Sequence, residues 1–145
     1  MKTLMPNCVR HAGKWSGIYT HMQPSGETID QYQVHILAEF PAEPNCDMRF
    51  STHNVWPDGR ETRGLYESVY RDGKLWFDGD IIGSMWEIDD FTSYLRFTFR
   101  RDRSIDVCEM LQISSNGQHR ARTWHWFRDE KLFQITRTRE WRPNE

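Results

Sequence analysis

From Val107 to Arg139 the chain reads VCEMLQISSNGQHRARTWHWFRDEKLFQITRTR. Apolar and polar side chains alternate through three runs, separated by Asn116-Gly117 and Asp129-Glu130. Alternation with a period of two marks a strand with one buried face. Asn-Gly between two such runs is a hairpin signal, because a tight type I′ turn needs positive φ at both central residues. Two-residue turns at both places predict a definite register. Asn116-Gly117 sets Ser115 against Gln118, Leu111 against Arg122 and Glu109 against Trp124. Asp129-Glu130 sets Trp126 against Phe133, Trp124 against Ile135 and Arg122 against Arg137. One face then carries Val107, Glu109, Leu111, Ile113, Arg120, Arg122, Trp124, Trp126, Phe133, Ile135 and Arg137. The other carries Cys108, Met110, Gln112, Ala121, Thr123, His125, Gln134 and Thr136. The first face holds more large apolar surface and is assigned to the interior; a slip of one residue would reverse it.

The same pattern extends outward to the rest of the chain. Turn signals recur at Pro24-Ser25-Gly26, Pro41 to Asn45, Pro57-Asp58-Gly59, Asp72-Gly73 and Asp102-Arg103-Ser104. Between them lie runs rich in aromatic and β-branched residues, which read as strands near 15–22, 30–40, 48–56, 62–70, 74–79, 84–89, 92–101, 105–113, 119–127 and 131–141. No stretch of a dozen residues has helical periodicity, so helix is expected only as a turn or two before Trp15. Ten antiparallel strands with tight turns hide their edges by closing into an up-and-down barrel. The expectation is an all-β protein, a single domain over 1–145, with an antiparallel up-and-down β-barrel of about eight to ten strands. An aligned sandwich is the alternative, since periodicity does not separate the two. A barrel of that size can hold one small ligand.

Composition narrows the function. The 145 residues carry a net charge of -2, with no basic excess to neutralise a phosphate backbone, so no nucleic-acid partner is expected. No apolar run is long enough to span a membrane as a helix, and Met1 to Gly13 shows no apolar signal segment. Aromatics at 14%, including seven Trp, argue against disorder. Cys8, Cys46 and Cys108 have no metal-ligand spacing and read as reduced thiols, which points to the cytoplasm. A Cys8–Cys46 bridge is the alternative.

Gly13-Lys14-Trp15, followed by Ser16-Gly17-Ile18-Tyr19, resembles the G-x-W opening of the lipocalins and the wider calycin group. Val55-Trp56-Pro57-Asp58-Gly59-Arg60 and Arg120-Ala121-Arg122-Thr123-Trp124-His125-Trp126-Phe127 resemble a poorly characterised bacterial and cyanobacterial lipocalin-like family, distantly similar to phycobilin lyases. The resemblance implies that Trp15 closes one end of the barrel against an Arg from a late strand. By position, Arg122, Arg137 and Arg139 are the candidates.

No dinucleotide, Walker, nucleophile-elbow or zincin motif is present in the sequence, so no cofactor is expected. His119 and His125, six residues apart on one strand, are about 20 Å from each other and cannot share a metal held at about 2 Å. His21, His35 and His53 converge only if they face the same way, and no metal site is assigned. Glu109 stands among apolar neighbours on the inner face. It is either half of a buried pair with Arg122 or Arg120, or a general acid or base with Arg122 holding an anionic or carbonyl group. His53 is a second acid–base candidate, because its ordinary pKa lies near neutrality. Tyr19, His21, Tyr66, Trp86, Tyr94, Arg120, Trp124 and Trp126 are candidates to line a ligand pocket. Three functions follow from these residues. The leading one is uptake of a small hydrophobic aromatic or conjugated molecule, with isomerase, cyclase or lyase chemistry on a secondary-metabolite-like substrate. The others are a carrier or chaperone of a pigment or metabolite, and an interaction domain whose barrel is filled.

Overall fold

A computed structural model describes residues 1–144. A short helix, α1 (Pro6–Val9), precedes ten strands: β1 (Gly13–Met22), β2 (Thr28–Glu39), β3 (Met48–Val55), β4 (Glu61–Arg71), β5 (Lys74–Asp78), β6 (Ile81–Glu87), β7 (Thr92–Phe99), β8 (Asp102–Ile113), β9 (His119–Arg128) and β10 (Lys131–Trp141). Each strand pairs antiparallel with the next, and β1 pairs with β10 to close the barrel. Every strand is hydrogen-bonded on both sides, which settles the choice between barrel and sandwich. Val34, Ile36, Met48, Leu75, Met85, Val107 and Leu111 are among the buried side chains that fill the lower interior. Gly83 marks a tight approach of β6 to β7. A Cβ there would stand 2.0 Å from the Arg96 carbonyl oxygen, so only glycine fits.

The β8–β9 hairpin has the expected register, with Glu109 opposite Trp124 and Leu111 opposite Arg122. Its connection is longer than a two-residue turn. Ser114 N–H pairs with His119 O at 2.8 Å, and Gly117, at φ 71°, donates its N–H to Ser114 O at 2.9 Å. The β9–β10 turn is the two-residue form, with Asp129 at φ 49° and Glu130 at φ 69°. Beyond it the expectation fails. A bulge between Leu132 and Gln134 adds one unpaired residue, so Thr136 faces Trp124 and Thr138 faces Arg122. From there on Thr136, Thr138 and Glu140 are buried, whereas Arg137 is exposed and Ile135 shares its outer face. Phe133 takes up the bulge with its ring edge-on to Trp126, at 6.4 Å, and beneath Arg128.

The two ends of the barrel differ. At one, α1 lies across the strands as a plug. The Cys8 amide donates to Glu87 Oε1 at 2.7 Å, and Arg10 donates to the carbonyls of Asp90 and Ser114. Trp15 is 1% exposed beneath it. The expected Trp–Arg packing is present, but its partners are Arg120, 4.6 Å from the ring centroid, and Arg142, 3.8 Å away. Arg122 lies farther up β9, over Tyr19 and Trp124. The bulge turns Arg137 and Arg139 outward. The other end, ringed by the β1–β2, β3–β4, β5–β6, β7–β8 and β9–β10 connections, opens into a cavity. The three cysteines are free thiols.

Candidate functional site

The open half of the barrel encloses a cavity of about 400 Å³, within the range of small-molecule sites. The interior of the barrel is therefore not filled. The wall is rich in aromatic residues, because the inward residues of β9, β7 and β1 carry rings at successive levels. Trp124 meets Tyr19 and Phe97 edge-on, with centroids 5.8 and 6.2 Å away. Trp126 stacks on Phe99 at 5.6 Å with planes 16° apart. Its indole N–H donates to Thr136 Oγ1 at 2.9 Å, a bond that exists because the bulge turned Thr136 inward. Higher up, His21 is held between Thr136 Oγ1, at 2.6 Å from Nδ1, and the Tyr32 hydroxyl, at 2.8 Å from Nε2. Burial pushes the His21 pKa down, against the nearby Asp30. At the rim Trp56 packs against Tyr32, with ring centroids 4.3 Å apart and planes tilted by 34°, and donates its N–H to Asp30.

The floor is ionic. Arg122 Nε donates to Glu109 Oε1, and Arg122 Nη1 donates to the Tyr19 hydroxyl at 2.8 Å. The Tyr19 O–H is directed at Glu140 Oε1, 3.4 Å away. Glu140 in turn accepts from Arg120 Nε at 2.9 Å, and Arg120 Nη1 stands 3.3 Å from His11 Nδ1. Glu109, Glu140 and His11 are completely buried, and Arg120 is 3% exposed. A chain of charge-assisted contacts thus runs from the plugged end to the cavity floor. Burial, opposed by Arg122, pushes the Tyr19 phenol well above its usual pKa. Burial, reinforced by Arg120, Arg122, Arg142 and Arg10, pushes His11 well below its own. Desolvation opposes the Arg122 charge, and Glu109, Tyr19 and Glu140 together overcome it, so Arg122 lies above the usual arginine value.

Seven of the expected site residues meet in this cavity: Glu109, Arg122, Tyr19, His21, Tyr66, Trp124 and Trp126. Of the two partners that the sequence offered Glu109, Arg122 and Arg120, the structure pairs it with Arg122. Four others are elsewhere. Arg120 lies beneath the floor, between Trp15 and Glu140. His53 is on the outer face of β3, because its neighbours Thr52 and Asn54 take the inner positions; it binds Glu61 at 3.1 Å and lies 6.0 Å from His35. Trp86 and Tyr94 are cross-strand partners on the outside, their rings 5.0 Å apart, with Lys74 over Trp86. Their immediate neighbours Met85 and Leu95 point inward. Tyr32, Asp30, Thr136, Glu140 and His11 were not foreseen. Tyr32 alternates with Val34 and Ile36 and was legible in principle; His11 lies outside any periodic run. Among the described residues no three of His, Cys, Asp and Glu are grouped to hold a metal ion, and no helix is long and apolar enough to cross a membrane.

A closed ten-stranded antiparallel barrel with a Trp–Arg plug and one open, ring-lined end has the up-and-down architecture expected from the sequence. The chain belongs to the DUF3598 family: the family's profile, "Domain of unknown function (DUF3598), N-terminal", matches residues 1–145. A crystal structure of a protein of unknown function from the same family, from Nostoc punctiforme, superposes with a TM-score of 0.68 at 14% identity. The match covers 94% of this chain but 49% of that one, so the chain spans about half the length of that relative. Rv2717c from M. tuberculosis has a TM-score of 0.67 at 12% identity, with 97% of this chain and 98% of that one covered. A redesigned β-barrel matches at 0.50 and 16% identity, covering 97% of each chain. At these identities the likeness is one of fold. No curated protein is similar enough in sequence to match. The comparisons show no similarity to phycobilin lyases.

Proposed function

We propose that this barrel takes up a small aromatic or conjugated molecule through its open end. The supporting observation is the cavity of about 400 Å³, walled by aromatic rings above a buried ionic floor. Ring walls supply area and edge-to-face contacts for a planar guest, and the floor fixes its orientation. One specific feature favours chemistry over carriage. Glu109 is a fully buried residue of the cavity wall, and its Oε2 has no hydrogen-bond partner among the described residues. A bound molecule with an acidic C–H next to that oxygen would lose its proton to it, while Arg122 stabilises charge developing on an adjacent oxygen. That is isomerase, cyclase or lyase chemistry without a cofactor. Carriage of a pigment or metabolite uses the same cavity and leaves the guest unchanged. Reduced thiols fit a cytoplasmic protein in either case.

The test is a tryptophan-fluorescence titration against aromatic, isoprenoid, polyketide-like and tetrapyrrole compounds, with each mixture then analysed by chromatography and mass spectrometry. At least one class is expected to change the Trp124 and Trp126 emission and raise Tm. Trp124→Ala is expected to weaken that binding about tenfold, for the loss of one stacked ring. A guest that returns altered, and unaltered with Glu109→Gln, establishes the enzyme; one returned intact by both establishes the carrier. Failure of every class to bind would overturn the proposal.

A further inference from the structure

We infer that the guest of this cavity is uncharged at its buried end and carries there both a hydrogen-bond donor and an acceptor, as a phenol or a lactam does. The inference rests on the interior binding proposed above and adds the chemistry of the group that reaches the floor.

The first argument is charge. Arg122 and Glu109 at the floor, with Arg120 and Glu140 directly beneath them, are two cations and two anions whose side chains are 12%, 0%, 0% and 0% exposed. Each guanidinium already contacts a carboxylate, and Arg122 also lies 4.0 Å from Glu140. Tyr19 and His11, the other titratable groups in the chain of contacts, are held in their neutral forms by burial. The floor therefore sums to zero. An ionised guest would bring an uncompensated charge against a buried floor, where solvation offsets less of its cost. Asp30, at the rim, adds a further negative charge to the wall and disfavours an anion on its way in.

The second argument is geometry. Three buried side-chain polar atoms have no partner among the described residues: His11 Nε2 at the plugged end, and Glu109 Oε2 and Trp124 Nε1. Glu109 and Trp124 face each other directly across β8 and β9, and both line the cavity. One atom is an acceptor and the other a donor. Arg122 makes no hydrogen bond to either atom: its Nε donates to Glu109 Oε1 and its Nη1 to Tyr19, and as a donor it has nothing to offer the indole N–H. Buried polar atoms are satisfied in folded proteins with few exceptions. A hydroxyl donates to Oε2 and accepts from Nε1 at once, and so does a cis amide. A carboxylate only accepts, and it sets like charge against Glu109. An ammonium only donates, and it leaves Trp124 unanswered. A simple hydrocarbon answers neither.

A matched series on one ring system tests this with the full chain at pH 7.5: naphthalene, 2-naphthol, 2-methoxynaphthalene and 2-naphthoate, each followed by calorimetric titration and by the shift in Tm. The expected order is 2-naphthol at least tenfold tighter than naphthalene, 2-methoxynaphthalene no tighter than naphthalene, and 2-naphthoate weakest. Trp124→Phe keeps a ring and removes the N–H, and it is expected to reduce the naphthol preference to threefold or less while naphthalene binds about as before. Glu109→Gln, where it folds, is expected to act in the same direction. If naphthol and naphthalene bind equally, or naphthoate binds tightest, the inference about the floor falls while the cavity reading stands. A naphthol preference undiminished in Trp124→Phe assigns it to other atoms and also overturns the inference. If no member of the series binds, the cavity reading and this inference fall together.

Discussion

Arg120 and Glu140 are the two residues on which the closed end turns. Their side chains are wholly buried, 2.9 Å apart, and the guanidinium also covers Trp15. Removing one member of such a pair strands the other charge, at a cost of about 3–5 kcal/mol, whereas replacing both with apolar groups is often close to neutral. Arg120→Met is accordingly expected to lower the unfolding free energy by about that amount, measured in urea. Arg120→Met with Glu140→Leu is expected to recover most of it. A double variant no more stable than the single one would place the loss in the packing on Trp15 instead. Residues were unequally legible in the sequence. Alternation and one turn signal put Glu109 on the inner face with Arg120 and Arg122, without choosing its partner between them. Glu140 was hidden because it stands in a run of arginines, Arg137 to Arg142, that reads as solvated until the bulge is known. The partners of Trp15 were misassigned for the same reason, and because Arg120 lies closer to the plugged end than Arg122 does.

At the scale of the element, all ten strands and the short first helix were legible, since turn residues punctuate alternating runs. What alternation leaves open is which parity faces inward. The Trp86 ring went outside because the inward positions of β6 belong to Ile81, Gly83 and Met85, and Gly83 is demanded by the approach of β7. His53 and Tyr94 were misplaced by the same ambiguity. The bulge at Phe133 had no signal at all, because a bulge is set by packing against the neighbouring strand and not by local propensity. The turn before it is readable and strained. Asp129 and Glu130 both hold positive φ, and Glu130, at 69°, is exposed. A non-glycine residue in that region costs roughly 1–2 kcal/mol, and the preferred I′ pair is Asp-Gly. Glu130→Gly is expected to raise stability by about 1 kcal/mol, after the added freedom of the unfolded chain is set against the relieved strain. A higher urea midpoint with an unchanged slope checks it. A lower midpoint would mean that the Glu130 side chain holds the rim.

The whole molecule joins two unlike halves inside one closed sheet, a plugged end knit by ions and an open end walled by rings, with Arg122 belonging to both. Arg142 ties the plug down, donating to the Ala12 carbonyl at 2.7 Å and the Arg10 carbonyl at 2.9 Å while it covers Trp15. This architecture makes global stability depend on pH through its plugged end. His11 is buried, and burial first, then the surrounding guanidinium groups, hold its pKa well below 6.5 in the folded chain. Burial moves His21 in the same direction. In the unfolded chain both take up protons near pH 6.5. Below that pH the unfolded state binds more protons than the folded one, so stability is fully present above about 6.5 and declines as pH falls toward the folded-state pKa values. One such histidine accounts for a loss of about 1.4 kcal/mol by pH 5.5. Urea unfolding at pH 7.5 and 5.5 is expected to show at least that loss, and His11→Asn, whose side-chain oxygen can still accept from Arg120, to remove about 1.4 kcal/mol of the difference. The comparison is between slopes in pH, so a general weakening by the substitution does not disturb it. An unchanged slope in His11→Asn would move the proton uptake to the open end, at His21, and a guest seated in the cavity would then alter the acid sensitivity of the whole barrel.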